Sequence, residues 1–186
     1  MLALSASPRR RGASSGLLAS FLRGLRGWRI VRFRVFDLNI RPCRGCHTCL
    51  RGRPCPQHDF MPKLIALFDR ADALVLASPV YFYGFPAPMK AVIDRCHPLW
   101  HSPRWRRRPK RPAFFLSTCD ARDQREFSVM VRQAKAFFNT SAFQYCAEVL
   151  VSGQGTSRAG ARLSRGRQSA FALARRVLAE RFPAGS

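Results

Sequence analysis

Along this chain, short apolar runs alternate five times with segments whose apolar residues recur at helical spacing. "MLALSAS" reads as a buried strand, and "GASSGLLASFLRGL" then sets Leu17, Leu18, Phe21, Leu22 and Leu25 on one helical face behind a Ser-rich start suited to capping. "WRIVRFRVFDL" alternates imperfectly, but its β-branched and aromatic content predicts a strand. "MPKLIALFDRA" predicts a helix with Pro62 in its first turn, where no intrahelical N–H bond is lost. "ALVLAS" is a continuous apolar run, as a central strand covered on both faces requires, and "PAPMKAVIDRC" returns to helical spacing. "PAFFLST" predicts a fourth strand. "REFSVMVRQAKAFFNT" places Phe127, Met130, Val131, Ala134 and Phe138 on one side of a helix. "FQYCAEVLV" predicts the last strand and "SAFALARRVLAERF", to Phe182, the closing helix. This alternation predicts an α/β fold, a doubly wound five-stranded parallel sheet.

A chain of 186 residues with 47% hydrophobic content can bury one sizeable core, and neither a linker nor an internal repeat divides it. The expectation is a single domain over 1–186, with a cysteine-rich loop at 41–57 and an irregular basic insertion at 97–112. No run approaches the ~20 apolar residues of a membrane helix. "MLAL", followed by Arg9, Arg10 and Arg11, is too short for an export signal, so a cytoplasmic location is expected. Basic side chains number 33 against 10 acidic, a formal +23 spread along the whole chain. Such an excess is either a solvated surface or a functional face for a nucleic acid or an acidic electron carrier.

The segment "RPCRGCHTCLRGRPC" carries Cys43, Cys46, Cys49 and Cys55 in a C-x2-C-x2-C-x5-C spacing. In a reducing compartment, clustered thiols favour metal binding or catalysis over disulfides. A four-iron cluster takes one thiolate per iron, the x2 spacings present successive thiolates to one centre, and Gly52 and Pro54 can turn the loop back. Arg41, Arg44, Arg51 and Arg53 could offset the cluster's negative charge. A four-cysteine zinc site, a redox switch and an unmetallated loop stay open. His47 reads as a solvent-facing bystander; Cys96, Cys119 and Cys146 read as buried small residues. In "WHSPRWRRRPKRP", Trp100 and Trp105 interleave with Arg104, Arg106, Arg107, Arg108, Lys110 and Arg111. That mixture fits a nucleic-acid groove, or a solvated loop that packs its Trp residues on a neighbouring subunit.

Open parallel sheets bind ligands beyond the carboxyl ends of their strands. Three loops have that position. "SASPRRRGASS" brings Ser5, Ser7, Ser14, Ser15 and Arg9 to a helix start, a phosphate cradle that is neither a Walker A loop nor a G-x-G-x-x-G fingerprint. Its plainer reading is a Ser-capped helix. "SPVYFYGFPAPMK" gathers Tyr81, Phe82 and Tyr83 beside Gly84, which suits a flat ring system or simply a hydrophobic strand end. "STCDARD" adds Ser117, Thr118 and Asp120.

Taken together, these loops resemble the flavodoxin-like NAD(P)H-dependent FMN reductase family, and the cysteine segment resembles the compact cluster motif of its iron-sulfur flavoprotein branch. The resemblance is clearest from Met1 to about Arg95. It implies that Ser7, Arg9, Ser14 and Ser15 bind the FMN phosphate, and that Pro79, Val80, Tyr81, Phe82, Tyr83 and Gly84 line the ring. Thr118, Cys119 and Asp120 would close the site, and Cys43, Cys46, Cys49 and Cys55 would ligate a [4Fe-4S] cluster. Ala6 stands where the family usually has Gly, "GAS" replaces the common Gly-Asn-Thr, and "STCD" is less glycine-rich than usual. The implied function is an FMN-dependent electron-transfer oxidoreductase relaying electrons between cluster and flavin, with no catalytic acid, base or nucleophile required. The implied partners are further copies of the chain, as a dimer or tetramer, and an acidic ferredoxin. One alternative is an NAD(P)H-dependent FMN or quinone reductase without a cluster. Another, from a different class, is an Arg-rich nucleic-acid-binding module on a flavodoxin-like scaffold.

Overall fold

A computed structural model describes residues 1–181. Its strands are β1 (Leu2–Ser5), β2 (Val31–Arg34), β3 (Leu74–Pro79), β4 (Arg111–Thr118) and β5 (Phe143–Val151). All pair parallel in one sheet, ordered β2-β1-β3-β4-β5. That is the flavodoxin-like order, whose topological switch lies between β1 and β3. The helices are α1 (Ala13–Gly24), α2 (Met61–Arg70), α3 (Ala87–Asp94), α4 (His97–His101), α5 (Pro103–Arg107), α6 (Ser128–Thr140) and α7 (Ala159–Arg181).

The period-2 alternation of the strands sorts the core into two layers. Leu2, Leu4, Leu74, Leu76, Ala113 and Phe115 face α2, α3 and α6, where they meet Leu64, Phe68, Met89 and Phe138. Ala3, Val75, Ala77, Phe114 and Leu116 face the other way, against Leu17, Leu18 and Phe21 of α1 and Ala170 and Ala174 of α7. Both faces are covered, so the central strands are continuous apolar runs rather than alternating ones. Helices α1 and α7 approach closely at Gly24, where an added Cβ would lie 2.7 Å from the Ala174 Cβ.

Four expectations change. The second strand pairs only over Val31–Arg34 and passes into a 3-10 turn at Val35–Asp37, because its one neighbour, β1, offers just Leu2–Ser5 to pair with. Helix α7 begins at Ala159, well before "SAFALARRVLAERF", since its first turns are polar and lack an apolar stripe; Phe182 lies outside the described residues. Cys146 is exposed, not buried. It is the residue left out of the pairing where the register passes from Ala113↔Tyr145 to Phe114↔Ala147, a β-bulge that sends Tyr145 and Ala147 to opposite faces.

The basic insertion is also not irregular. It folds as α4 and α5, and Trp105 enters the chain's own core, while Trp100 stays exposed. Several of its cations hold the end of α2. Arg111 donates to the carbonyls of Phe68 and Ala71 at 2.7 and 2.6 Å, and its guanidinium sits 4.2 Å over the Phe143 ring. Arg104 and Arg108 both pair with Asp69. Among the described residues, no helix is long and apolar enough to cross a membrane.

Candidate functional site

The loops that follow β1, β3, β4 and β5 meet around a cavity of about 110 Å³. The first loop is organised on the Arg9 carbonyl. The Ser7 hydroxyl donates to it at 3.0 Å, the Ser15 hydroxyl at 3.0 Å and the Gly12 N–H at 3.1 Å. A carbonyl oxygen has two lone pairs, so three donors exceed its capacity. Ser7 in turn accepts the Arg9 N–H at 3.2 Å. Helix α1 starts at this point with neither a side-chain cap nor an acidic residue in its first turn, among the described residues. Its leading N–H groups are therefore oriented toward the cavity's end of the sheet without a fixed partner, which is the chemistry that receives an anion.

After β3, the Val80 N–H bonds the Thr118 carbonyl at 2.9 Å and ties the second loop to the third. Tyr81 and Gly84 then exchange two backbone bonds of 2.9 Å around Phe82 and Tyr83, whose φ values are +46° and +62°. This is a type I′ turn built without glycine at either central position, a conformation that disfavours L residues. Phe82 at its tip is fully exposed, and Tyr81 and Tyr83 are half-exposed. Hydrogen bonding and charge from Glu126 raise the Tyr83 hydroxyl above its ordinary pKa. In the third loop, the Cys119 N–H bonds the Val151 carbonyl at 3.1 Å and the Gln154 N–H bonds the Cys119 carbonyl at 3.0 Å. Burial raises the Cys119 thiol, which favours its protonated, unreactive form.

Of the residues expected around the flavin, the cavity wall includes Ser7, Arg9, Ser14, Pro79, Val80, Tyr81, Thr118, Cys119 and Asp120. Ser15 sits behind the wall as the Arg9 brace, and Phe82, Tyr83 and Gly84 form the turn beside it. Four wall residues were not among those expected, Pro8, Gly12, Ala13 and Gln154. The Gln154 Nε2 is buried without a hydrogen-bond partner among the described residues. "SGQGTS" reads as a turn after the last strand, but no motif marks its single Gln.

A second cavity, of about 290 Å³, lies between the loop that joins β2 to α2 and the helices α2, α3 and α4. Cys43, Cys46, Cys49 and Cys55 all line it, with Arg44, Arg53 and Arg95. Left-handed residues shape the loop: Gly45 at φ +64°, His47 at +55° and Gly52 at +72°, around a 3-10 turn at Thr48–Arg51. His47 is exposed and yet forms part of the cavity wall. The thiols sense one another. Burial raises Cys49, and the neighbouring charges of Cys43, Cys55 and Cys46 add to it. Cys46 is lowered by bonds from the Thr48 side chain and backbone. Among the described residues, no three His, Cys, Asp or Glu side chains converge tightly enough for a single metal ion. The four cysteines instead lie along the wall of one cavity. Arg34, the last residue of β2, donates to the Pro8 carbonyl at 3.0 Å, so the cysteine loop leaves the sheet beside the Ser-rich loop. The two cavities share no wall residue.

Residues 1–156 match the family model for NADPH-dependent FMN reductase. An iron-sulfur flavoprotein of Archaeoglobus fulgidus is 39% identical over 99 residues, 52% of this chain and 45% of that protein. One from Methanocaldococcus jannaschii is 32% identical over 101 residues, 53% of this chain and 52% of its own length. The chain thus spans about half the length of the curated relatives it matches. Among solved structures, the FMN-dependent NADH-azoreductase of Bacillus anthracis, in complex with FMN, superposes with a TM-score of 0.74 at 14% identity, covering 95% of this chain and 98% of that one. The NAD(P)H:quinone oxidoreductase of Methanothermobacter marburgensis gives 0.73 at 18% identity, covering 95% of each. At such identities the structural likeness is one of fold.

Proposed function

Because the chain belongs to the NADPH-dependent FMN reductase family, we propose that it is an FMN-dependent oxidoreductase that relays electrons between a [4Fe-4S] cluster in the cysteine loop and the flavin. The observation that carries this reading is the pairing of two cavities in one chain, an anion-ready cradle at the start of α1 and a pocket lined by four cysteines. The residues present fit both groups. Surplus hydroxyl donors, uncapped helix N–H groups and the unpartnered Gln154 amide suit a phosphorylated, hydrogen-bonding cofactor. Four cysteines along the wall of one cavity suit a group that takes one thiolate per metal.

FMN, when bound, supplies hydride and single-electron chemistry, and a [4Fe-4S] cluster supplies single-electron transfer. The protein's tasks are binding and orientation. Ser7, Arg9, Ser14 and the first turn of α1 would hold the phosphate; Pro79, Val80, Tyr81, Thr118 and Asp120 would flank the ring. Phe82 and Tyr83 stand beside the cavity's mouth, where a second copy in a dimer or tetramer, or a substrate, would meet them. Cys119, a buried thiol on the same wall, would pack at the flavin side. The formal +23 charge favours an acidic electron carrier such as a ferredoxin.

The test is purification without oxygen. The expected protein carries flavin absorbance and about four irons per chain. Colourless protein overturns the whole reading, and flavin without iron overturns its cluster part. The second reading, an NAD(P)H-dependent FMN or quinone reductase with free cysteines, draws support from the family's own description. Reduction by NADPH but not by reduced ferredoxin selects it.

A further inference from the structure

A buried ion pair at the base of the cysteine loop plays no part in the flavin cradle and supplies no metal ligand. Asp59 and Arg95 have side chains 0% and 3% exposed. Their contact is bidentate, Arg95 Nη1 to Asp59 Oδ2 at 2.6 Å and Nη2 to Oδ1 at 3.1 Å. Burial opposes both charges. The opposing bonds prevail, holding Asp59 below its ordinary pKa and Arg95 above its own.

The pair also grips the backbone where the loop begins. Asp59 Oδ2 accepts the Arg41 N–H at 3.0 Å, and Arg95 Nη1 donates to the Arg41 carbonyl at 2.9 Å. Both polar groups of that one peptide residue are therefore held by the two side chains. At the other end, Asp59 Oδ1 accepts the Met61 N–H at 3.0 Å and fixes the start of α2. Two further bonds close the stem, Phe60 N–H to the Asn39 carbonyl at 2.9 Å and Gln57 Nε2 to the Pro42 carbonyl at 3.0 Å. All four cysteines lie between these anchored ends. Within the loop the ordering is weak: Gly45 and Gly52 have nothing within 4 Å of a hypothetical Cβ, and the turns close on local bonds of 3.1 to 3.3 Å.

Arg95 has a second face. It lines the thiol cavity, whereas Asp59 does not. Arg44 and Arg53, also on that wall, are exposed. The pair is thus a buried dipole with its positive end on the side of the cysteine cavity, where Asp94 is the one carboxylate in the lining among the described residues. Apolar packing could close a loop, but it would not fix the register of one peptide unit; a directional ion pair does, which is the best-attested use of such pairs.

We propose that Asp59 and Arg95 are positioning residues for the cysteine centre, resting on the reading of those cysteines as cluster ligands. Together they hold the stem of the loop so that four thiols face one cavity before any metal arrives. Arg95 alone sets a permanent positive charge against the group those thiols hold.

The test uses the full chain with Asp59→Asn, Arg95→Met and Arg95→Lys, taking bound FMN per chain as the check on folding. In metal-free protein, amide hydrogen exchange across 41–56 is expected to quicken on the order of tenfold in Asp59→Asn and Arg95→Met. After anaerobic reconstitution with iron and sulfide, resistance of the iron to a chelator is expected to fall about 10- to 100-fold in both, as for other partners of metal ligands. Arg95→Lys keeps the charge and loses the bidentate grip. It is expected to retain the wild-type cluster potential better than Arg95→Met while leaving the loop unprotected. Unchanged exchange in Asp59→Asn and Arg95→Met overturns the clamp. Equal potentials in the Lys and Met variants overturn the role of the charge. A wild type that takes up no iron overturns the cluster reading instead, and the exchange result then decides the clamp by itself.

Discussion

Gly12 is the position at which one methyl group tests the flavin cradle. Its backbone is extended, φ −70° and ψ 166°, so alanine meets no backbone strain there. The obstacle is space: a Cβ would lie 2.9 Å from Ser7 Oγ, 3.2 Å from Arg9 Cβ and 3.3 Å from the Arg9 carbonyl oxygen. The Arg9 backbone is held by three donors and cannot yield easily, so Ser7 must rotate away. Rotation gives up the bond Ser7 donates to the Arg9 carbonyl and the one it accepts from the Arg9 N–H. At about 0.5–1.5 kcal/mol each, these two bonds are worth roughly 1–3 kcal/mol of loop order. If the ordered loop is what FMN binds, Gly12→Ala weakens the affinity about 5- to 150-fold, at 1.4 kcal/mol per factor of ten. Fluorescence titration of metal-free, flavin-free protein with FMN measures it, and the thermal midpoint of the same protein shows whether the fold is intact. A Kd within about twofold of wild type refutes the cradle, because the crowding at Ser7 would then have no bearing on the ligand.

Three other expectations concern the scaffold. Asp59 is raised by burial but lowered more by the Arg95 bond and the N–H groups of Arg41 and Met61, so its folded pKa lies below its ordinary value. A depressed carboxyl stabilises the fold above that ordinary value and loses this contribution as pH falls through the folded one. Asp59→Asn is therefore expected to cost about 3–5 kcal/mol near pH 7, and the gap from wild type in urea denaturation should narrow as pH falls below the ordinary carboxylate range. A gap that is constant with pH contradicts that assignment. Tyr83→Gly relieves a residue held at φ +62°, and a gain of about 0.5–1 kcal/mol should appear as a higher thermal midpoint; a lower midpoint means the turn is not strained. Gly24→Ala drives a Cβ to 2.7 Å from Ala174 Cβ and 2.8 Å from the Phe171 carbonyl oxygen. Overpacking between α1 and α7 of about 1–3 kcal/mol outweighs the helix propensity gained. The urea midpoint should drop with an unchanged m-value and unchanged FMN affinity, and a stabilised variant would show that the helices can part.

Much of the architecture was legible because it depends on local chemistry. "ALVLAS" has the continuous apolar run of a strand covered on both faces, and the five-fold alternation with helical spacing leaves few arrangements besides a doubly wound parallel sheet. Ser7, Arg9 and Ser14 could be placed together because the helix start is written in the residues themselves, and all three line one cavity. Where a residue's position depended on one strand's partner, the pattern failed. Cys146 looks like any apolar position in "FQYCAEVLV" until the pairing with β4 skips it. Trp105, embedded in arginines, looks like a surface residue until α4 and α5 fold it onto the core.

The sequence by itself determined the five-fold alternation of strand and helix, the apolar faces of the helices it marks and the spacing of the four thiols, since each follows from periodicity and from residues adjacent in the chain. Only the tertiary structure decided that the thiols share a single cavity, that Gly12 and Gln154 line the other, and that Asp59 meets Arg95 across 36 positions of chain. An ion pair between distant residues leaves no periodic trace. It exists because the turn into α2 and the end of α3 bring the two side chains together, away from water, and a charge buried there must find its partner.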